Sequence, residues 1–512
     1  MRHFSFLTFL RTAFLLIAIF LAFYWRMGEA PLFDIDEGAF VEASREMMVS
    51  GDYLHPMLNG LPRYDKPVLI YWLQASSMRM FGLNEWAARF PSALFASIWV
   101  LAAFFMARYW YSRNTAFWAA FLQVTSLMVL GIGRAATADA VLNACLAIAM
   151  FAIFVYTEKR QKYFLYLAFF MMGAGFLTKG PIAVFIPVVV SFLYVVVIKK
   201  DWRFWLRSVF NPLGLLIFGV IALPWYIYML NADGMAFVNG FFMRHNVARF
   251  MGPLQGHGGS LMYYVPILLA GTLPHTALAL WTLRQSFVHA RDDFGRFALL
   301  WFFFVFFFFS LSGTKLPHYM LYGMAGFFVL MAKSMDKALP KRILLVFPVL
   351  FIAMLAALPW GVEMALPWVD GNKTRILLQE ALVVVPNGYF LAMMAALGVF
   401  VLTFFFFKEA IVFVSGIVFP VISLCWVLPW VSAFLQAPVK EAALLVKHET
   451  TPIVAYKINQ PSFSFYLERV VEKREPLPLE IALAKRGSSF PFKVKVLYEK
   501  GPIVLVQRLQ ES

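Results

Sequence analysis

The chain has 512 residues, of which 62% are hydrophobic and 14% charged. Its mean hydropathy is +0.73. A soluble chain of this length cannot bury so much apolar surface and a disordered one would not carry it, so both classes are excluded. The formal charge of +16 is therefore read by side of a membrane, not as a nucleic-acid footprint, and no motif supports nucleic-acid binding. The two cysteines, Cys145 and Cys425, sit in apolar runs, which rules out a disulfide framework and a zinc-thiolate site.

Spanning helices need roughly 20 mostly apolar residues. In chain order the candidates fall near 7–25, 91–108, 114–132, 140–157, 164–179, 181–198, 208–230, 261–282, 297–312, 319–332, 343–360, 389–407 and 410–435. That makes an all-α polytopic membrane protein with about thirteen transmembrane helices, of which 164–179 and 319–332 are short. The first follows Met1-Arg2-His3 and lacks a small-residue cleavage site, so it reads as a span and not as a signal peptide. Lys and Arg gather in alternate loops: Arg108 and Arg113, Lys159 to Lys162, Lys199 to Arg207, Arg284 to Arg296, Lys333 to Arg342, and Lys408. Arg2 and Arg11 fall on the same side. The positive-inside rule makes that side cytoplasmic, with the N-terminus inside.

The opposite side carries the long segments 26–90, 231–260 and 361–388 and the tail 436–512. The tail alternates short strands, Pro452–Tyr456 and Lys493–Tyr498, with helix-like Glu441–Lys447. The expected division is a transmembrane domain over 1–435, with a long external loop at 26–90, and a small C-terminal α/β domain over 436–512 on the external side. Loop 26–90 is too apolar to float free. Glu37–Met48 reads as an interfacial amphipathic helix with Asp36 at its cap position, and Val68–Phe81 reads as a second. Gly51-Asp52 and Asn59-Gly60 mark turns.

Ionisable residues at membrane depth are costly and usually functional. Asp36, Glu37, Lys66, Arg134, Asp139, Lys179, Arg249, Lys315 and His318 all fall at external span ends or in external loops. Together they describe a wet, cationic, carboxylate-bearing site at the external surface. Each has a plainer reading. Asp36 can cap a helix and Glu37 can answer a helix dipole. Lys66 can snorkel, Arg134 and Asp139 can pair, and Lys179, Arg249 and Lys315 can anchor spans. His245 and His257 with Asp65 are the one divalent-metal option, set against the usual non-ligand histidine, so no cofactor is certain. The Asp34–Asp36 D-x-D match is read as coincidence, because no nucleotide is expected outside. The Phe-rich run 302–309 reads as lipid-facing filling.

The first loop resembles a known family. The run is Asp36-Glu37-Gly38, Glu42 to Met47, Ser50 to Tyr53, Leu58-Asn59-Gly60, Tyr64-Asp65-Lys66-Pro67, Tyr71-Trp72 and Asn84 to Arg89. Further matches are Arg134 and Asp139, Gly175 to Gly180, His245-Asn246 with Arg249-Phe250, Tyr263-Tyr264, Lys315 to Tyr319, and Ser464 to Leu467. The pattern resembles the bacterial protein-mannosyltransferase-like glycosyltransferases of the GT-C class, among them the lipid A aminoarabinose transferases. The resemblance implies a GT-C fold and an inverting transfer of a sugar from a polyprenyl (undecaprenyl) phosphate donor to an envelope acceptor, lipid A or a related glycolipid. It implies Asp36 as catalytic base or acceptor orienter and Asp139 as a second catalytic aspartate. Lys66, Arg249, Lys315 and Tyr319 would bind the donor phosphate. Tyr64, Lys179, Glu37, Arg134 and His318 would be weaker cavity or acceptor residues. Asp65 and His318 depart from the aminoarabinose transferase pattern.

A protein O-mannosyltransferase-like enzyme and, from another class, a transporter or flippase of lipid-linked saccharides are the alternatives. A transporter should hold its charges near the midplane and show repeated halves with broken helices. Charges gathered on one face favour chemistry at a surface.

Overall fold

The computed structural model describes residues 6–252, 258–335 and 340–510. Met1, Arg2, His3, His257 and Lys337 lie outside the described residues. Every apolar stretch named above contains helix. Among the described residues, six helices are long and apolar enough to cross a membrane, or seven if one bent pair counts as a span. The remaining stretches are shorter or interrupted helices. Arg113–Val124 and Leu127–Arg134 meet at a 67° bend. Tyr264–Gly271 and Thr276–Arg284 are separated at Leu273-Pro274, where proline cannot donate to the helical ladder. Stretch 319–332 divides into a 3-10 turn, Pro317–Gly323, and a helix, Met324–Ser334.

The Phe-rich run is not uniform filling. Phe302 and Phe309 are buried, Phe302 stacked on Phe327 and Phe309 against Tyr319, whereas Phe307 is exposed. Helical periodicity turns one face of helix Asp293–Leu311 into the core and leaves the other outward.

In the first loop the helices run over Asp36–Ser50 and Leu69–Phe81. Ile35 takes the cap position, and Asp36 is the first helical residue with no capping bond. The cap reading of Asp36 is thereby corrected. So is the amphipathic one, because every residue from Glu37 to Met47 is buried. Glu42, Arg45 and Glu46 are among them, and they are matched locally. Arg45 forms a bidentate pair with Glu42 at 2.7 and 2.8 Å. Glu46 accepts the Asn59 and Gly60 N–H groups at 2.6 and 3.1 Å. Those two residues form the turn between β1 (Met57–Leu58) and β2 (Leu61–Pro62), both with positive φ as this hairpin turn requires.

What covers the outer face of Asp36–Ser50 is the tail. Residues 453–508 build a four-stranded sheet from β3 (Ile453–Tyr456), β4 (Ile481–Lys485), β5 (Val494–Lys500) and β6 (Ile503–Arg508), in the order β3-β4-β6-β5. β3 and β4 are parallel, and the other pairs are antiparallel. Between β3 and β4 the short helix Pro461–Leu467, buried at every residue, packs on helix Asp36–Ser50. One hydrophobic cluster joins Val41, Met78 and Ala87 of the first loop to Phe463, Phe465, Leu483 and Leu505 of the tail.

Candidate active site

The segment that delivers Asp36 is held by one buried ion pair. Arg89 donates to Glu37 Oε1 and Oε2 at 2.8 and 2.7 Å. It also donates to the carbonyls of Met27, Ala30 and Pro31 at 2.6–2.9 Å. Glu37 in turn accepts the N–H groups of Phe33 and Ala136 at 2.8 and 2.7 Å. Burial alone would raise the Glu37 carboxyl, but the Arg89 charge and these bonds hold it below its ordinary value. Glu37, in the first helical turn and lining the cavity described below, is thus also a structural keystone, and its partner Arg89 is marked in the sequence only within a matching run, with no role. Arg89→Met would leave a buried carboxylate without its counter-charge and three carbonyls without donors. A loss of about 3–5 kcal/mol is expected, seen as a collapse of folded protein in detergent; the same thermal transition in variant and wild type would contradict it.

Residue 36 opens onto a cavity of about 560 Å³. Asp36, Lys66, Arg134, Asp139, Lys179, Arg249 and His318 all line it, together with Asp65. The Asp36 side chain is exposed and makes no hydrogen bond among the described residues. A second cavity of about 500 Å³ shares the wall formed by Asp65, Lys66, Lys179 and Arg249. It adds Tyr319, Tyr322, His245, Ser312 and Thr314, and the rest of its lining is aromatic or aliphatic, with Phe185, Phe250 and Phe308. The charged wall therefore stands between two cavities whose remaining lining is largely apolar, Leu130, Leu424 and Val427 on the one side and Phe185, Phe250 and Phe308 on the other.

Two networks build that wall. Asp139 Oδ1 accepts from Lys179 Nζ at 2.5 Å and from the Tyr322 hydroxyl at 2.8 Å, with His318 Nε2 at 3.4 Å. Lys179 also donates to the Tyr322 hydroxyl at 2.7 Å. Asp65 stands 2.7 Å from His245 Nδ1, 3.2 Å from Arg63, 3.6 Å from Lys66 and 4.0 Å from Arg249. Burial would raise its carboxyl, but Lys66, His245 and Arg63 hold it well below its ordinary value. Arg249 donates to the Tyr319 hydroxyl at 3.2 Å. The result is several cations sharing fewer carboxylates, an arrangement suited to an added anion.

Three expectations are corrected. Arg134 does not pair with Asp139. Its guanidinium donates to the carbonyls of Ala22 and Trp25 at 2.9 Å, closing the open end of the helix that finishes at Tyr24. Lys315 is buried, but its ammonium turns back onto the Ser312 carbonyl at 2.5 Å and lines neither cavity. Tyr64 also lines neither; it packs on Phe237, ring centroids 6.0 Å apart, against Gly240. For the metal option, His257 lies outside the described residues, and among those described no group of three or more His, Cys, Asp or Glu is placed to hold an ion.

Burial pushes the Lys66 ammonium down to about 8; Asp65 opposes this, and Arg249, Lys179 and Arg63 reinforce it. Lys66 is then cationic below that value and neutral above it. Affinity for a phosphate monoester is expected to fall between about pH 7 and pH 9, a window in which that group is already largely dianionic. Lys66→Arg, which keeps its charge, should flatten the dependence. Titration of binding in detergent checks this, and equal slopes in the two proteins would contradict it.

Comparison with known proteins agrees with this architecture. The family model described as dolichyl-phosphate-mannose-protein mannosyltransferase matches residues 65–228. An undecaprenyl phosphate-α-4-amino-4-deoxy-L-arabinose arabinosyl transferase of Erwinia tasmaniensis is 29% identical over 388 residues, 71% of this chain and 68% of the relative. Those of Aeromonas hydrophila and Sodalis glossinidius are 33% and 32% identical, covering 63% and 68% of this chain. The chain spans between 60% and 68% of the length of these three relatives. The crystal structure of ArnT from Cupriavidus metallidurans bound to undecaprenyl phosphate superposes with a TM-score of 0.81 at 20% identity, covering 98% of each chain. Its apo form gives 0.78 at 21% identity, covering 98% of this chain and 97% of that one. The chain is thus a bacterial membrane protein with the fold of ArnT, similar over residues 65–228 to the mannosyltransferase family and over most of its length to the aminoarabinose transferases.

Proposed function

We propose that this protein is an integral-membrane inverting glycosyltransferase. It moves a sugar from undecaprenyl phosphate to an envelope glycolipid, most directly lipid A, on the periplasmic face of the inner membrane. The observation that carries the reading is the charged wall shared by two cavities. The smaller cavity, with Phe185, Phe250 and Phe308 beside the wall, suits the first isoprene units of the carrier. Lys66 and Arg249 suit the phosphate, Lys as a point charge and Arg as a fork, with Tyr319 steadying Arg249. The larger chamber, holding Asp36, suits sugar and acceptor.

In the displacement, an acceptor oxygen attacks the anomeric carbon and the bond from that carbon to the phosphate oxygen breaks. Undecaprenyl phosphate leaves with the electron pair, and the cations stabilise the charge it gains. Where the attacking oxygen carries a proton, Asp36 takes it. Asp139, already engaged by Lys179 and Tyr322, orients Lys179 and His318 along the chamber wall and does not act as a free base. Lys315 and Tyr64 are given no part.

The same reading divides the chain into a transmembrane domain over 1–435 with about thirteen crossings and a periplasmic domain over 436–512, with the N-terminus cytoplasmic. Support comes from the helix found in each apolar stretch and from a sheet formed wholly by tail residues. Mass spectrometry of envelope lipids from cells with and without the gene tests the function. A lipid A species carrying one extra pentosamine should vanish with the gene and return with the wild-type copy. Unchanged lipids would count against lipid A and direct the search to glycopeptides.

A further inference from the structure

Asp34 belongs to no role assigned so far, yet it lines the chamber and is gripped by the tail. Its Oδ1 accepts the Ser462 N–H at 3.0 Å, and its Oδ2 accepts the Ser462 hydroxyl. The approach is close enough to demand glycine beside it. A Cβ on Gly38 would stand 2.0 Å from Asp34 Oδ1 and 2.6 Å from Ser462 N. The helix that carries Ser462 holds the first loop at further points. Tyr466 accepts the Leu32 N–H at 2.7 Å, and Ser464 donates to Asn59 Oδ1 at 3.1 Å. Just beyond it, the Glu468 carbonyl accepts from Arg45 at 3.2 Å. The Asp36 side chain, in contrast, makes no hydrogen bond among the described residues, so the backbone around it decides where its carboxylate points. That backbone is clamped from within by Glu37 and Arg89 and from outside by Ser462.

We propose that Ser462, acting through Asp34, is a positioning residue that aims Asp36 at the reacting centre, so that the C-terminal segment completes the active site. The inference rests on the reading of Asp36 as the residue that activates the acceptor. Burial pushes the Asp34 carboxyl up to about 7; the two Ser462 donors oppose this, Glu37 adds to it and Lys473 relieves it. The latch is thus strongest when Asp34 is ionised and both donors are present.

The test uses the full-length protein in detergent or proteoliposomes, with undecaprenyl phosphate-α-4-amino-4-deoxy-L-arabinose and lipid A. Ser462→Ala and Asp34→Asn should each lower kcat by about tenfold, the order expected when a catalytic group is displaced by a fraction of an ångström. The donor KM should stay within about twofold, because the phosphate wall is untouched. Ser462→Thr, which keeps both donors, should recover most of kcat. An unchanged kcat in both variants overturns the proposal. So does a fall in kcat that only tracks loss of folded protein, with Thr no better than Ala. Asp36→Asn separates the two levels. If it keeps full turnover, the reading of Asp36 fails; if it is inactive while Ser462→Ala is normal, only the latch fails.

Discussion

Asp36→Asn should lower turnover by about 10²- to 10⁴-fold, the usual worth of a positioned general base, while leaving the affinity for undecaprenyl phosphate within about twofold. The amide is isosteric and the native side chain is exposed, with no hydrogen bond among the described residues, so the substitution removes a proton acceptor without leaving a buried group unpaired. The bland alternative makes a different forecast. As a first-turn helix residue Asp36 would be worth only about 0.3–1 kcal/mol of stability, and its loss would leave turnover intact. Single-turnover transfer and equilibrium binding on the same preparation distinguish the two. Near-normal transfer would remove Asp36 from the mechanism.

The second large effect is expected at the shared wall. Lys66→Met should weaken undecaprenyl phosphate binding by about 10- to 100-fold, the equivalent of about 1.5–3 kcal/mol for a hydrogen bond to a charged group. Lys66 now spends its ammonium on Asp65, 3.6 Å from Oδ1 and donating to the backbone carbonyl at 2.9 Å. Removing it leaves Asp65 still facing Arg63 and His245, so the wall should keep its shape. The donor KM should rise accordingly, and kcat should fall as well, because the same ammonium stabilises the charge on the leaving phosphate. Lys315→Met supplies the contrast: Lys315 faces the Ser312 carbonyl and neither cavity, so no comparable loss of donor affinity is expected. Equal losses in the two variants would mean that the phosphate sits elsewhere.

Much of the site was legible in the residues. Asp36, Lys66, Asp139, Lys179, Arg249 and His318 stand out in the sequence because each places an ionisable group at an external span end or in an external loop, where membrane depth makes it costly. The chain brings all six to one cavity. Which of them touch was not legible. Arg134 and Asp139 are near in sequence, but a helix break at Ala135–Ala138 sends their side chains apart, one to the Ala22 and Trp25 carbonyls and the other to Lys179. The keystone pair, Glu37 with Arg89, spans 52 residues, and no local periodicity marks it. Lys315 and Tyr64 show the opposite error. Their residue types suit a phosphate or a cavity, yet Lys315 bonds the Ser312 carbonyl and Tyr64 packs against Gly240.

The fold divides the same way. Hydropathy located the helices because burial in lipid demands internally satisfied backbone, and that demand is written in composition. Their interruptions were not, although Pro274 and Pro317 sit at two of them. The amphipathic reading of the first-loop helix failed for a tertiary reason. Glu42, Arg45 and Glu46 look solvent-facing, but each finds a partner within the loop, which lets the tail close over them. A polar residue that is matched locally gives no sign in the sequence that it is buried.

The most direct test of the central claim is sugar transfer by purified protein in proteoliposomes containing undecaprenyl phosphate-α-4-amino-4-deoxy-L-arabinose and lipid A, followed by mass spectrometry. The account predicts that lipid A gains one aminoarabinose while free undecaprenyl phosphate accumulates in equal amount, and that Asp36→Asn abolishes both changes. Lipid A left unmodified while the intact donor moves between leaflets would contradict it and establish a transporter instead.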